Sequence, residues 1–123
     1  MSWFNLNFKN SKEKGNYFER VAEEHLAKQG LTPVGRNFLC RYGEIDLIMK
    51  DTDTLVFVEV KYRKNNKFGG ALYALSKHKQ DCLRNSIHYY LQQHHLENQS
   101  VRVDFVAING HNPYHVDWFQ SVF

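Results

Sequence analysis

Leu55-Val56-Phe57-Val58-Glu59-Val60-Lys61 decides the fold, read together with Gly43-Glu44-Ile45-Asp46-Leu47-Ile48 just before it. A run this apolar predicts a buried strand, where a carboxylate and an ammonium are costly unless each finds a partner. Period two places Leu55, Phe57, Glu59 and Lys61 on one face, with Val56, Val58 and Val60 on the other. The same period groups Ile45, Leu47 and Met49 on one side of the preceding strand, and Glu44, Asp46 and Ile48 on the other. Lys50-Asp51-Thr52-Asp53-Thr54 is short and polar. It predicts an antiparallel hairpin that brings Asp46 beside Glu59 and Lys61.

Working outward, Phe18, Val21, Ala22 and Leu26 form the apolar stripe of a helix over 14–29, and Gly30 stops it. Leu31 to Cys40, with Pro33 and Gly35, reads as an irregular strand at a sheet edge. A basic loop over 62–70 ends in Phe68-Gly69-Gly70. Leu75, Lys79, Cys82, Leu83, Ser86, Ile87, Tyr90 and Leu91 then trace the inner face of a helix over 72–96. Val101 to Ile108 is a fourth strand, and Tyr114 to Phe123 carries a short terminal one. The order αβββαβ defines one α/β domain over 1–123, a mixed central sheet flanked by helices, with a right-handed crossover through the long helix.

With 123 residues, 42% hydrophobic and 24% charged, the chain suits one packed core. No apolar run reaches membrane length. The first residues lack both the basic and the apolar region of an export signal. Cys40 and Cys82 are isolated, as reduced thiols of a cytoplasmic protein would be. His94-His95 and His111 with His115 join no cysteine or carboxylate at zinc spacing, so neither zinc nor an organic cofactor is expected.

Asp46 and Glu59 supply the oxygen ligands that Mg²⁺ or Mn²⁺ takes, with the Val60 carbonyl as a further ligand. Lys61 is a compact point charge able to orient a water or steady a developing anion. The net charge of +3 is mild, but Arg63, Lys64, Lys67 and Lys79 cluster behind the acids, and Gln80 adjoins Lys79. Positive charge beside a metal-binding centre suits a polyanion, and Arg63 is the best-placed phosphate contact. Glu44 either assists the metal or flanks it. Asp104, beside Arg102, reads as a structural pair. The competing reading of Asp46, Glu59 and Lys61 is a cross-strand ion network of small energetic value.

Gly43-Glu-Ile-Asp-Leu-Ile followed by Val56-Phe-Val-Glu-Val-Lys-Tyr-Arg63 resembles the YraN-like family of uncharacterised small bacterial proteins. Gly15-Asn-Tyr-Phe-Glu19-Arg-Val-Ala22, Asn37, Phe68-Gly69, Lys79-Gln80 and Arg102-Val-Asp104 fit the same pattern in order. That family is similar in turn to PD-(D/E)XK nucleases and archaeal Holliday-junction resolvases. The resemblance implies a restriction-endonuclease-like core and a metal-dependent endonuclease acting on DNA, including branched or damaged DNA. It assigns Asp46, Glu59 and Lys61 to the motif, with Ile45 where the nominal motif has proline, and adds Glu19 as a further acid near the metal. It also brings in a homodimer, the form in which relatives cut symmetric junctions. Two other classes stay open: a nucleic-acid-binding module of the same fold without turnover, and a structural or partner-binding protein.

Overall fold

The computed structural model describes residues 8–64, 75–111 and 113–123. The elements run α1 (Ser11–Lys28), β1 (Thr32–Cys40), β2 (Gly43–Asp51), β3 (Thr54–Arg63), α2 (Lys77–Gln93), β4 (Val101–Gly110) and β5 (Tyr114–Phe119). This is the expected αβββαβ order with a fifth strand added. The strands form one sheet in sequential order, β1-β2-β3-β4-β5. Short connections make β1/β2, β2/β3 and β4/β5 antiparallel, whereas β3/β4, joined through α2, are parallel. Of the expected loop over 62–70, Tyr62 and Arg63 instead continue β3, paired with Ile108 and Asn109 of β4. Residues 65–70 lie outside the described residues, as does the start of the second helix at 72–74.

Local chemistry sets the helix ends. The Asn10 side chain accepts from the Glu13 N–H at 2.8 Å and starts α1. At its other end Gly30 takes φ 106, and the Leu31 N–H reaches back to the Leu26 carbonyl at 3.1 Å. That closure needs a left-handed residue, hence glycine. Ser76 caps α2 by accepting from the Lys79 N–H at 3.2 Å.

The helices cover opposite faces of the sheet. Phe18, Ala22 and Leu26 of α1 pack on Leu47, Met49, Val56, Val58 and Val60. Leu83, Ile87, Tyr90 and Leu91 of α2 pack on Ile45, Ile48, Leu55 and Phe57. Ile45 therefore departs from strict alternation: it faces α2, while Leu47 and Met49 face α1. The cause lies on β1, where Asn37 takes φ 55. Asn37 and Asp46 sit between the register pairs Arg36↔Leu47 and Phe38↔Ile45. Arg36 meets Glu23 of α1 at 3.9 Å, yet Phe38, two residues on, packs edge-on against Tyr90 of α2. A left-handed residue cancels one step of the pleat, and both strands change sides there.

Asp104 on β4 is wholly buried, and its partners are structural, as the sequence predicts. It accepts from Arg102 Nε at 3.1 Å, Trp118 Nε1 at 2.9 Å and the Ser121 N–H at 2.9 Å. Arg102 continues to Asp51 at 2.8 Å. One carboxylate thus ties β4, β5 and the segment after β5 together. Asp104→Ala leaves Arg102 and the indole N–H without this partner, a loss of about 3–5 kcal/mol in urea-denaturation stability. A shift below about 1 kcal/mol would show that the network contributes little net stability.

Candidate metal-binding cleft

The β2/β3 ladder runs from Asp51↔Thr54 to Leu47↔Val58 and stops. Beyond it the strands part, and the Val60 N–H donates to Asp46 Oδ2 at 2.9 Å. A side chain replaces the backbone acceptor that strand pairing would have supplied. In a strand the N–H and C=O of one residue point to the same side, so the Val60 carbonyl faces the same gap. Glu59 and Lys61 flank Val60 and share the other face of β3, as period two requires.

Glu19 arrives from α1, and the neighbours of both residues fix where it lands. Phe18 stacks on Tyr62 with centroids 3.9 Å apart and planes 6° apart, which locks α1 against the end of β3. Glu19 adjoins Phe18, and Lys61 adjoins Tyr62. The Asn37 amide donates to Glu19 Oε1 at 2.6 Å and to Glu44 Oε1 at 3.4 Å. Glu19, Glu44 and Asp46 each place a carboxylate oxygen within 4.8 Å of the others. Glu44, left open by the sequence, stands in the acidic group. From α2, Lys79 Nζ lies 3.7 Å from Glu59 Oε1.

Burial pushes the Glu59 carboxyl up to about 8; the Asp46 charge adds to this, while Lys79 and Lys61 oppose it. Burial also lifts Glu19 to about 7, against the Asn37 hydrogen bond and with help from the Asp46 and Glu44 charges. Asp46 moves upward for the same first reason, held back mainly by the Val60 N–H. The Lys61 amine moves down through burial and the neighbouring Lys79. Without a cation, then, the cluster holds protons at neutral pH instead of its full negative charge.

These groups line one cleft of about 750 Å³, with Lys14, Arg63 and His78 also on its walls. Of the residues singled out in the sequence, Asp46, Glu59, Val60, Lys61, Glu19, Arg63 and Lys79 line it. Lys64 is exposed at the end of β3. Lys67 lies outside the described residues. The Gln80 amide instead donates to the Leu75 carbonyl at 3.3 Å, just ahead of α2. Lys14 and the clamping role of Asn37 escaped the sequence reading. The available signal for Asn37 was its residue type, since asparagine is among the few that accept a left-handed backbone.

Fold and cleft define a mixed α/β protein with an acidic centre where a β-hairpin splits. The family described as "Uncharacterised protein family UPF0102" matches residues 18–108, and the chain belongs to it. A UPF0102 protein of Pseudoalteromonas translucida is 53% identical over 123 residues, covering 100% of both chains. One of Colwellia psychrerythraea is 48% identical over 116 residues, covering 92% of this chain and 90% of its own. A Neisseria meningitidis relative is 46% identical over 110 residues, covering 89% and 94%.

A carboxyl with a raised folded pKa binds its proton more tightly in the native chain than in the unfolded one. Its effect is nil below the unfolded value and destabilising above it. In metal-free buffer the Tm should therefore fall from pH 5 toward pH 8, the window set by the ordinary glutamate value of 4.5 and the folded values of about 7 and about 8. Glu59→Gln should flatten that fall, and identical Tm–pH curves for variant and wild type would refute the assignment.

Proposed function

We propose that this protein is a divalent-metal-dependent endonuclease that hydrolyses phosphodiester bonds in DNA. One observation carries the reading: the Asp46 carboxylate sits in the split of the hairpin, with Glu19, Glu44 and Glu59 around it and Lys61 beside it, inside a cleft with basic walls. The donor set suits a hard cation, being made of carboxylate oxygens and a strand carbonyl. It fits on a second count, since the buried acids are protonated above their usual range and a cation would relieve them.

Asp46, Glu59 and the Val60 carbonyl would hold Mg²⁺ or Mn²⁺, with Glu19 and Glu44 as further carboxylates beside Asp46. When bound, such an ion lowers the pKa of a water and offsets charge at phosphorus. Lys61, half-buried and with its amine lowered, is suited to orient that water or to pair with the phosphoryl oxygen. Arg63, Lys64, Lys67 and Lys79 would take neighbouring phosphates, and removing any one would weaken binding and make it less dependent on salt. Branched or damaged DNA is the proposed substrate, by likeness to resolvases, and a homodimer the proposed form on symmetric junctions. A cytoplasmic setting agrees with Cys40 and Cys82 as free thiols. No helix among the described residues is long and apolar enough to cross a membrane.

The test is cleavage of linear duplex, flap and four-way-junction DNA with Mg²⁺ or Mn²⁺ against EDTA. Asp46→Asn and Lys61→Ala should each slow cutting by about 10²-fold or more. Cutting by both variants at the wild-type rate would overturn the enzyme. Salt-dependent binding by all three proteins without any cutting would select the binding module instead.

A further inference from the structure

Gly15 is the fifth residue of α1, inside the helix and four positions before Glu19. Residues four apart stack on the same helical face, so Gly15 lies one turn from Glu19 and, like it, lines the cleft. Glycine is a poor helix former at such a place. The usual structural reasons for tolerating it fail here. Its φ lies outside the left-handed region, and a Cβ built on it would meet no atom of the described residues within 4 Å. No other described segment of the protein requires the position to be bare.

The space over Gly15 belongs to the cleft and is open to whatever occupies it. Lys14, the preceding residue, lines the same wall, with its ammonium 5.2 Å above the Tyr62 ring. That contact holds a positive charge at the rim while leaving its donors for an anion. Resting on the reading of the cleft as a DNA site, we propose that α1 forms a subsite for the substrate strand. The sugar-phosphate backbone passes in contact with Gly15, and a phosphate beside the reacting one pairs with Lys14. A methyl at position 15 would push the strand off the acidic centre.

The two effects of Gly15→Ala have opposite signs, which makes the subsite testable. The fold should gain stability, a Tm rise of roughly 2–5 °C, because alanine favours helix and finds no clash. Binding of a fluorescein-labelled four-way junction, followed by anisotropy with Ca²⁺, should weaken about tenfold, and further in Gly15→Leu. The salt dependence should stay as in wild type for the Gly15 variants, and its slope should drop by about one in Lys14→Ala. Gly15 variants that bind as tightly as a DNA-binding wild type would overturn the subsite alone. Wild-type protein that binds no DNA would overturn the subsite together with the function on which it rests.

Discussion

The hydrogen bond from the Val60 N–H to the Asp46 carboxylate is the constraint on which the site depends. A buried strand amide must find an acceptor, and past Leu47↔Val58 the backbone of β2 no longer offers one. Asp46 fills that place. The hairpin can then open without leaving an orphaned donor, and the gap becomes room for chemistry. Glu59 and Lys61 follow from the same bond, since fixing Val60 fixes the residues on either side. If Asp46 were apolar, the strands would have to close or the amide would stay unpaired. The first outcome would remove the cleft, and the second would leave it bordered by a buried donor without a partner.

Around this bond the protein holds charge in a way that packing alone does not favour. Four acids converge while, among the described residues, Lys61 and Lys79 stand close in opposition, and burial works against the charges of Glu19, Asp46, Glu59 and Lys61. Stability comes from elsewhere: two aliphatic layers, the Phe18–Tyr62 stack and the Asp104 network. Asp104 is a useful contrast to Asp46. It is wholly buried where Asp46 is only partly so, and three donors satisfy it. One carboxylate is fully spoken for by the fold, and the other keeps an oxygen to offer.

Much of this was legible before any coordinates. The helical stripe ending at Gly30, the apolar run 55–60 and the polar turn before it carry local periodicities, and these survive folding intact. Period two correctly placed Glu59 with Lys61. It failed at Ile45, because the inversion originates on a different strand, at Asn37, and one strand's pattern holds no record of its neighbour's backbone. Lys14 joined the cleft for a related reason: its position, like the meeting of Glu19 with Glu44, depends on how α1 settles on the sheet. Gln80 went the other way, since its amide is engaged by the start of its own helix.

The irregularities of β1 have an effect at the rim of the molecule as well as in its cleft. β1 is an edge strand, and it carries Leu39 exposed at 74% and Val34 at 47%. A straight, apolar edge of this kind would template the addition of another chain's strand. Pro33 withholds a donor, the register shifts between Pro33 and Gly35, and Asn37 turns the backbone left-handed. The edge therefore presents no continuous row of backbone groups to a newcomer. The kink that gathers Glu19 and Glu44 also protects the chain against edge-to-edge aggregation.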